Sequence, residues 1–163
     1  MSHLSLTPKP FGDGPTGKVL RLLYADDVPE LRNLLQMLFQ RDGHQIECHP
    51  DGRSALSRMT QNSDLDLVIT DHHMPRMDGL ELVERLRALP FLGKIMIFSS
   101  ELSPAITEKY QRLGVDRILY KPVYPSALRQ VLAEMFGLSS RPATANPFPA
   151  HASPGSSHPF APR

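Results

Sequence analysis

The sequence predicts an α/β fold in which one five-stranded parallel sheet, in the order 2-1-3-4-5, carries helices on both faces. Three observations support that expectation. Short apolar runs alternate five times with longer stretches whose apolar residues recur at helical spacing. Each pair has the length of a βα unit, and right-handed crossovers place each helix over the sheet. Finally, Asp26-Asp27, Asp71, Ser99 and Lys121-Pro122 end four of the apolar runs. Carboxylates, a hydroxyl and an ammonium therefore reach one edge, in the crevice where open α/β sheets place their ligands.

Val19 to Ala25 reads as a buried strand, followed by Leu31, Leu34, Leu35, Leu38 and Phe39 at helical spacing. His44 to Cys48 is a shorter strand, and Ala55, Leu56 and Met59 mark the apolar face of a helix that Asp51 is placed to cap. Leu65 to Thr70 is the third strand. After Gly79, Leu80, Leu82, Val83, Leu86 and Leu89 mark a helix, and Ile95 to Phe98 supplies the fourth strand. Ser103-Pro104 opens the next helix, with Ser as cap and Pro at its first position, and Gly114 closes it after Arg112-Leu113. Arg117 to Tyr120 is the fifth strand. Tyr124 to Phe136 is the last helix, with Leu128, Val131, Leu132 and Met135 inward.

A chain of 163 residues with 40% hydrophobic and 21% charged content fits one ordinary domain, placed at residues 18–138. Residues 1–17, with Pro8, Pro10, Gly12, Gly14, Pro15 and Gly17, read as a flexible segment. Residues 139–163, rich in Pro, Ser and Ala, read as a disordered tail whose Phe148 and Phe160 are solvated chain. The net charge of +1 argues against a nucleic-acid partner, which would need clustered Lys and Arg to neutralise phosphates. The sequence has no 18-residue apolar stretch and no signal-peptide pattern, so no membrane partner is expected and the expected compartment is the cytoplasm. Cys48 has no partner for an internal disulfide and reads as a buried, inert thiol.

Each site feature alone has an ordinary reading. An Asp-Asp pair after a strand serves equally well as a helix N-terminus or as a source of metal ligands. Lys121-Pro122 alone is a solvated turn, and Ser99-Ser100 are loop hydroxyls. His72-His73, with His44 and His49 as helpers, invites a metal reading, but the spacing of a structural zinc site is missing. In the run Thr70 to Gly79, the residues Met74, Pro75, Met77 and Gly79 read as shaping the loop.

In their order along the chain, Asp26-Asp27, the strand-ending Asp71, Met74-Pro75, Met77-Asp78-Gly79, Ser99 and Lys121-Pro122 resemble the receiver domains of two-component response regulators over about Gly17 to Leu138. The resemblance implies a flavodoxin-like fold, and the lack of a folded segment after Leu138 resembles the single-domain, stand-alone subclass typified by the chemotaxis response regulator. It implies that Asp71 is the phosphoacceptor, attacking the phosphoryl group of a phosphohistidine on a histidine kinase or histidine phosphotransfer protein. Mg²⁺ would be held by Asp26, Asp27, Asp71 and the backbone carbonyl of His73, while Lys121 and Ser99 would contact phosphoryl oxygens. The family's Lys-Pro bond is usually cis, which aims the lysine inward. His73 and Glu101 match positions that flank the acyl phosphate and tune its lifetime.

The sequence departs from the family at Ile118, the switch position three residues before the lysine, where an aromatic is common. Tyr120 shares its strand parity, and Val123 replaces the aromatic often found after Lys-Pro. If signalling follows the family, residues 103–136 form the face for a downstream protein target. The chain is then no enzyme apart from catalysing its own phosphorylation and dephosphorylation. Two other classes fit the residues less well. A phosphohydrolase of the haloacid-dehalogenase type generally has a second Asp where His73 stands, and no cap domain is available. A non-phosphorylated interaction module would be attractive only if acceptor or metal residues were missing.

Overall fold

The computed structural model describes residues 18–62 and 64–138. The segments 1–17 and 139–163, with Phe148 and Phe160, lie outside the described residues. The elements run β1 (Arg21–Ala25), α1 (Pro29–Arg41), β2 (Gln45–His49), α2 (Gly52–Gln61), β3 (Leu67–Thr70), α3 (Gly79–Arg87), β4 (Lys94–Ser99), α4 (Pro104–Arg112), β5 (Arg117–Tyr120) and α5 (Pro125–Phe136). The strands form one sheet in the order β2-β1-β3-β4-β5, every pair parallel.

Strand alternation sorts the core into two layers. Leu23 and Ala25 of β1, Val68 of β3 and Ile95 and Ile97 of β4 face α2, α3 and α4 through Ala55, Met59, Leu82, Val83, Leu86 and Tyr110. Leu22, Tyr24, Leu67, Ile69, Met96 and Phe98 point the other way, onto Leu35 and Phe39 of α1 and Leu128 and Leu132 of α5. The central strands are therefore apolar on both sides, as parallel sheets covered by helices require.

Several boundaries follow the expected local chemistry. Ser103 caps α4 by accepting from the Ile106 N–H, Pro104 begins that helix, and Asp51 caps α2 by accepting from the Ser54 N–H. Elsewhere side chains shorten what the pattern suggested. β1 begins at Arg21 rather than Val19, because the Leu20 N–H donates to His44 Nδ1 at 3.3 Å. β3 begins at Leu67 rather than Leu65, and Asp66 Oδ2 accepts from the Arg21 N–H at 2.8 Å in place of a backbone carbonyl. β2 runs one residue later than expected, and β4 extends to Ser99, whose carbonyl accepts from the Lys121 N–H at 2.9 Å. α3 stops at Arg87: the Leu89 N–H turns back to the Leu86 carbonyl, so Leu89 packs from the turn beyond. Cys48 is half-buried with its thiol toward the Arg32 carbonyl at 3.7 Å, and burial pushes that thiol up, which keeps it protonated.

Candidate functional site

The carboxyl ends of β1 and β3 are adjacent in the sheet, so Asp26-Asp27 and Asp71 meet there. Their carboxylate oxygens lie within 4.8 Å of one another, with Asp26 and Asp71 buried and Asp27 exposed. Among the described residues this is the one group of three or more His, Cys, Asp or Glu close enough to share an ion, and neither His72-His73 nor His44 and His49 belong to it. A cluster of carboxylate oxygens with one member open to solvent suits a hard divalent cation such as Mg²⁺, which takes few carboxylates and keeps several waters.

Asp26 is the most completely partnered of the three. Its Oδ1 accepts from the Val28 N–H at 2.8 Å, and its Oδ2 accepts from the Tyr24 hydroxyl and from Lys121 Nζ, the latter at 2.5 Å. Burial, then the Asp26 hydrogen bond, drives the Tyr24 phenol far above its ordinary range, so it remains a donor. Lys121 Nζ also lies 3.3 Å from Asp71 Oδ2. The ammonium thus sits between two carboxylates of the cluster, reaching it from the end of β5, and the Lys121–Pro122 bond is cis. Ser99 is fully buried at the end of β4, and its hydroxyl donates to the Glu101 carbonyl at 3.4 Å. Glu101 itself is exposed, and Ile118 is half-buried against the cluster that contains Tyr110.

The loop from Asp71 to α3 is fixed at both ends. The His72 N–H donates to Asp71 Oδ1 at 2.7 Å, and the Gly79 N–H donates to the His72 carbonyl at 2.9 Å. His72 turns inward, where its Nδ1 and the Tyr110 hydroxyl of α4 share a hydrogen bond of 2.9 Å. Burial, then His73, lowers the His72 pKa, so the ring is neutral near pH 7. His73 is exposed, its ring centroid 4.6 Å from that of His72. Sequence reasoning singled out His73. It considered His72 only as a metal ligand and did not identify its inward role or its partner Tyr110.

A second support comes from α2. Asp51, beyond capping that helix, pairs with Arg76, which has a φ of 64° in the left-handed region. The Gly52 N–H donates to the Met77 carbonyl at 3.2 Å, and a Cβ on Gly52 would come within 2.7 Å of that oxygen. Burial raises the Asp51 carboxyl, but the Ser54 N–H and Arg76 outweigh it and hold it below the usual carboxylate range. A depressed folded-state pKa contributes stability that is complete above the unfolded value near 3.9 and is lost as pH falls through the folded one. Asp51→Asn keeps a cap but loses the charge. It is expected to lower stability at pH 7 by about 1 kcal/mol and to flatten the acid limb of a stability–pH curve. An unchanged acid limb would contradict this.

A family model described as response regulator receiver domain matches residues 22–133. The chain is 30% identical over 128 residues to a chemotaxis protein CheY homolog of Campylobacter jejuni, a match covering 74% of this chain and 95% of that protein. It is 32% identical over 120 residues to the sensory/regulatory protein RpfC of Xanthomonas campestris, covering 71% of this chain and 16% of that protein. The chain therefore spans a small part of that longer relative. Among solved structures, chemotaxis protein CheY4 of Vibrio cholerae is similar with a TM-score of 0.67 at 28% identity, over 72% of this chain and 98% of that one.

Proposed function

We propose, from the premise that the chain belongs to the response regulator receiver domain family, that it accepts a phosphoryl group on Asp71 and signals through protein contacts. Receiver domains are signalling domains that work with histidine kinases or phosphotransfer proteins. The observation that carries the reading is the carboxylate cluster beside a lysine, with Lys121 Nζ 3.3 Å from Asp71 Oδ2.

An Asp71 carboxylate oxygen forms the new bond to phosphorus as the phosphorus–nitrogen bond of a donor phosphohistidine breaks, and the departing imidazole takes up a proton. Mg²⁺, held by Asp26, Asp27, Asp71 and the His73 carbonyl, would neutralise charge on the phosphoryl oxygens. Lys121 contributes a point cation at the same oxygens, and the Ser99 hydroxyl turns from the Glu101 carbonyl toward one of them. Dephosphorylation is a second displacement: a water oxygen forms the new bond to phosphorus, the bond from phosphorus to the Asp71 oxygen breaks, and inorganic phosphate leaves as the water's proton passes to solvent. The reading covers residues 18–138 and sets the protein in the cytoplasm, with no nucleic-acid or membrane partner.

Residues 103–136 are the face for a downstream protein, supported by two exposed aromatics there, Tyr120 and Tyr124. Ile118, without an aromatic ring to swing, leaves the link from Ser99 to that face to neighbouring side chains. His73 and Glu101 match family positions that flank the acyl phosphate, and they tune how long it lasts. His73→Asn is expected to change autodephosphorylation severalfold while leaving phosphorylation intact; identical phosphate-release time courses in variant and parent would rule this out.

The reading is tested by mixing the protein with a phosphorylated histidine phosphotransfer protein and mapping the label by peptide. Transfer to the peptide containing Asp71 is expected. Transfer to no residue, with partner binding indifferent to Asp71→Ala, would instead favour a non-phosphorylated interaction module.

A further inference from the structure

We propose that Tyr24 is a positioning residue for phosphoryl transfer, its hydroxyl holding Asp26 so that Lys121 can move from that carboxylate to the phosphoryl group. The inference rests on the receiver reading and adds a residue to it. Tyr24 is fully buried in the middle of the α1/α5 layer, where a phenylalanine would supply the same apolar ring without a polar atom to satisfy. The one hydrogen bond its hydroxyl makes is to Asp26 Oδ2. Lys121 Nζ occupies that same oxygen, at 2.5 Å.

The surroundings make the sharing consequential. Asp26 is fully buried, and its other oxygen is already taken by the Val28 N–H. The Lys121 ammonium lies 5.2 Å from the ring centroid of Phe98, which packs against Tyr24 at 6.5 Å between centroids. The lysine is thus placed over an aromatic floor with Asp26 and Asp71 as its two anionic contacts. To reach a phosphoryl oxygen on Asp71 the ammonium must loosen its bond to Asp26. Without the Tyr24 hydroxyl, that step would leave Oδ2 with no hydrogen-bond donor, so that only the Mg²⁺ it would help to hold could fix the carboxylate. The Tyr24 hydroxyl keeps the oxygen partnered while the lysine shifts.

Tyr24→Phe retains the ring and tests the hydroxyl alone. With acetyl phosphate at saturating Mg²⁺, the variant is expected to phosphorylate about tenfold more slowly, equivalent to about 1.4 kcal/mol. Its Mg²⁺ dissociation constant, measured by calorimetry without phosphodonor, is expected to stay within about twofold of the parent's, because Asp26 keeps its charge and its Oδ1 bond from the Val28 N–H, and Asp27 and Asp71 are untouched. The Lys121 ammonium resonance in the unphosphorylated protein is expected to shift. Equal rates in parent and variant would overturn the proposal, as would a parallel loss of Mg²⁺ affinity, which would mean a general collapse of the site. Should the parent itself take no phosphoryl group, the receiver reading fails on its own; the resonance still decides Tyr24, and an unmoved signal would overturn its role in placing Lys121.

Discussion

Gly79→Ala is expected to destabilise the protein by about 3 kcal/mol, the upper range for overpacking a closed site. Helix propensity alone would give the opposite sign, since alanine is favoured over glycine within a helix by about 1 kcal/mol. The steric demand decides. A Cβ at Gly79 would lie 2.1 Å from the backbone oxygen of Asp71, 3.0 Å from its carbonyl carbon and 2.9 Å from the Tyr110 hydroxyl. The first contact is with backbone that cannot retreat without moving Asp71. The contact with Tyr110 threatens the His72–Tyr110 hydrogen bond that ties the loop to α4. Urea unfolding should show a lower midpoint with an unchanged slope. A midpoint at or above the parent's would mean that α3 does not approach Asp71 this closely.

Lys121→Met is expected to show two effects of opposite sign. Without Mg²⁺ it should lower stability by about 3 kcal/mol, because removing one partner leaves the buried Asp26 without its counter-charge and the three carboxylates without their internal cation. The same loss makes the cluster more negative, so Mg²⁺ should bind more tightly and raise the unfolding temperature further in the variant than in the parent. Thermal unfolding with and without Mg²⁺ separates the two. Equal Mg²⁺-induced shifts would show that Lys121 and the metal do not compete for the same carboxylates.

Much of the fold was legible because each cue was local. Ser103-Pro104, Asp51 and the apolar run at β5 fix their elements from neighbouring residues, and those elements begin where their own chemistry places them. The starts of β1 and β3 were not legible, because His44 and Asp66 reach across to backbone groups that the pattern assigned to strand pairing. The same division holds at the site. Asp26, Asp27, Asp71 and Lys121 could be found because each ends an apolar run, and the sheet order then brings the run ends together. Tyr24 and Tyr110 were hidden, since an aromatic in an apolar run or on a helix face counts as core whatever its hydroxyl touches. One signal was present: Tyr24 shares strand parity with Asp26, two residues on, which puts its polar tip within reach of that carboxylate. The Asp51–Arg76 pair joins residues far apart in the chain, and no spacing rule would suggest it.

The most direct test of the central claim is the intact mass of the protein after incubation with acetyl phosphate, with and without Mg²⁺, for the parent and for Asp71→Ala. A phosphoryl adduct that requires Mg²⁺ and is absent from Asp71→Ala is the expected result. An adduct that persists in Asp71→Ala, or no adduct in the parent with Mg²⁺ present, would contradict the assignment of Asp71 as phosphoacceptor.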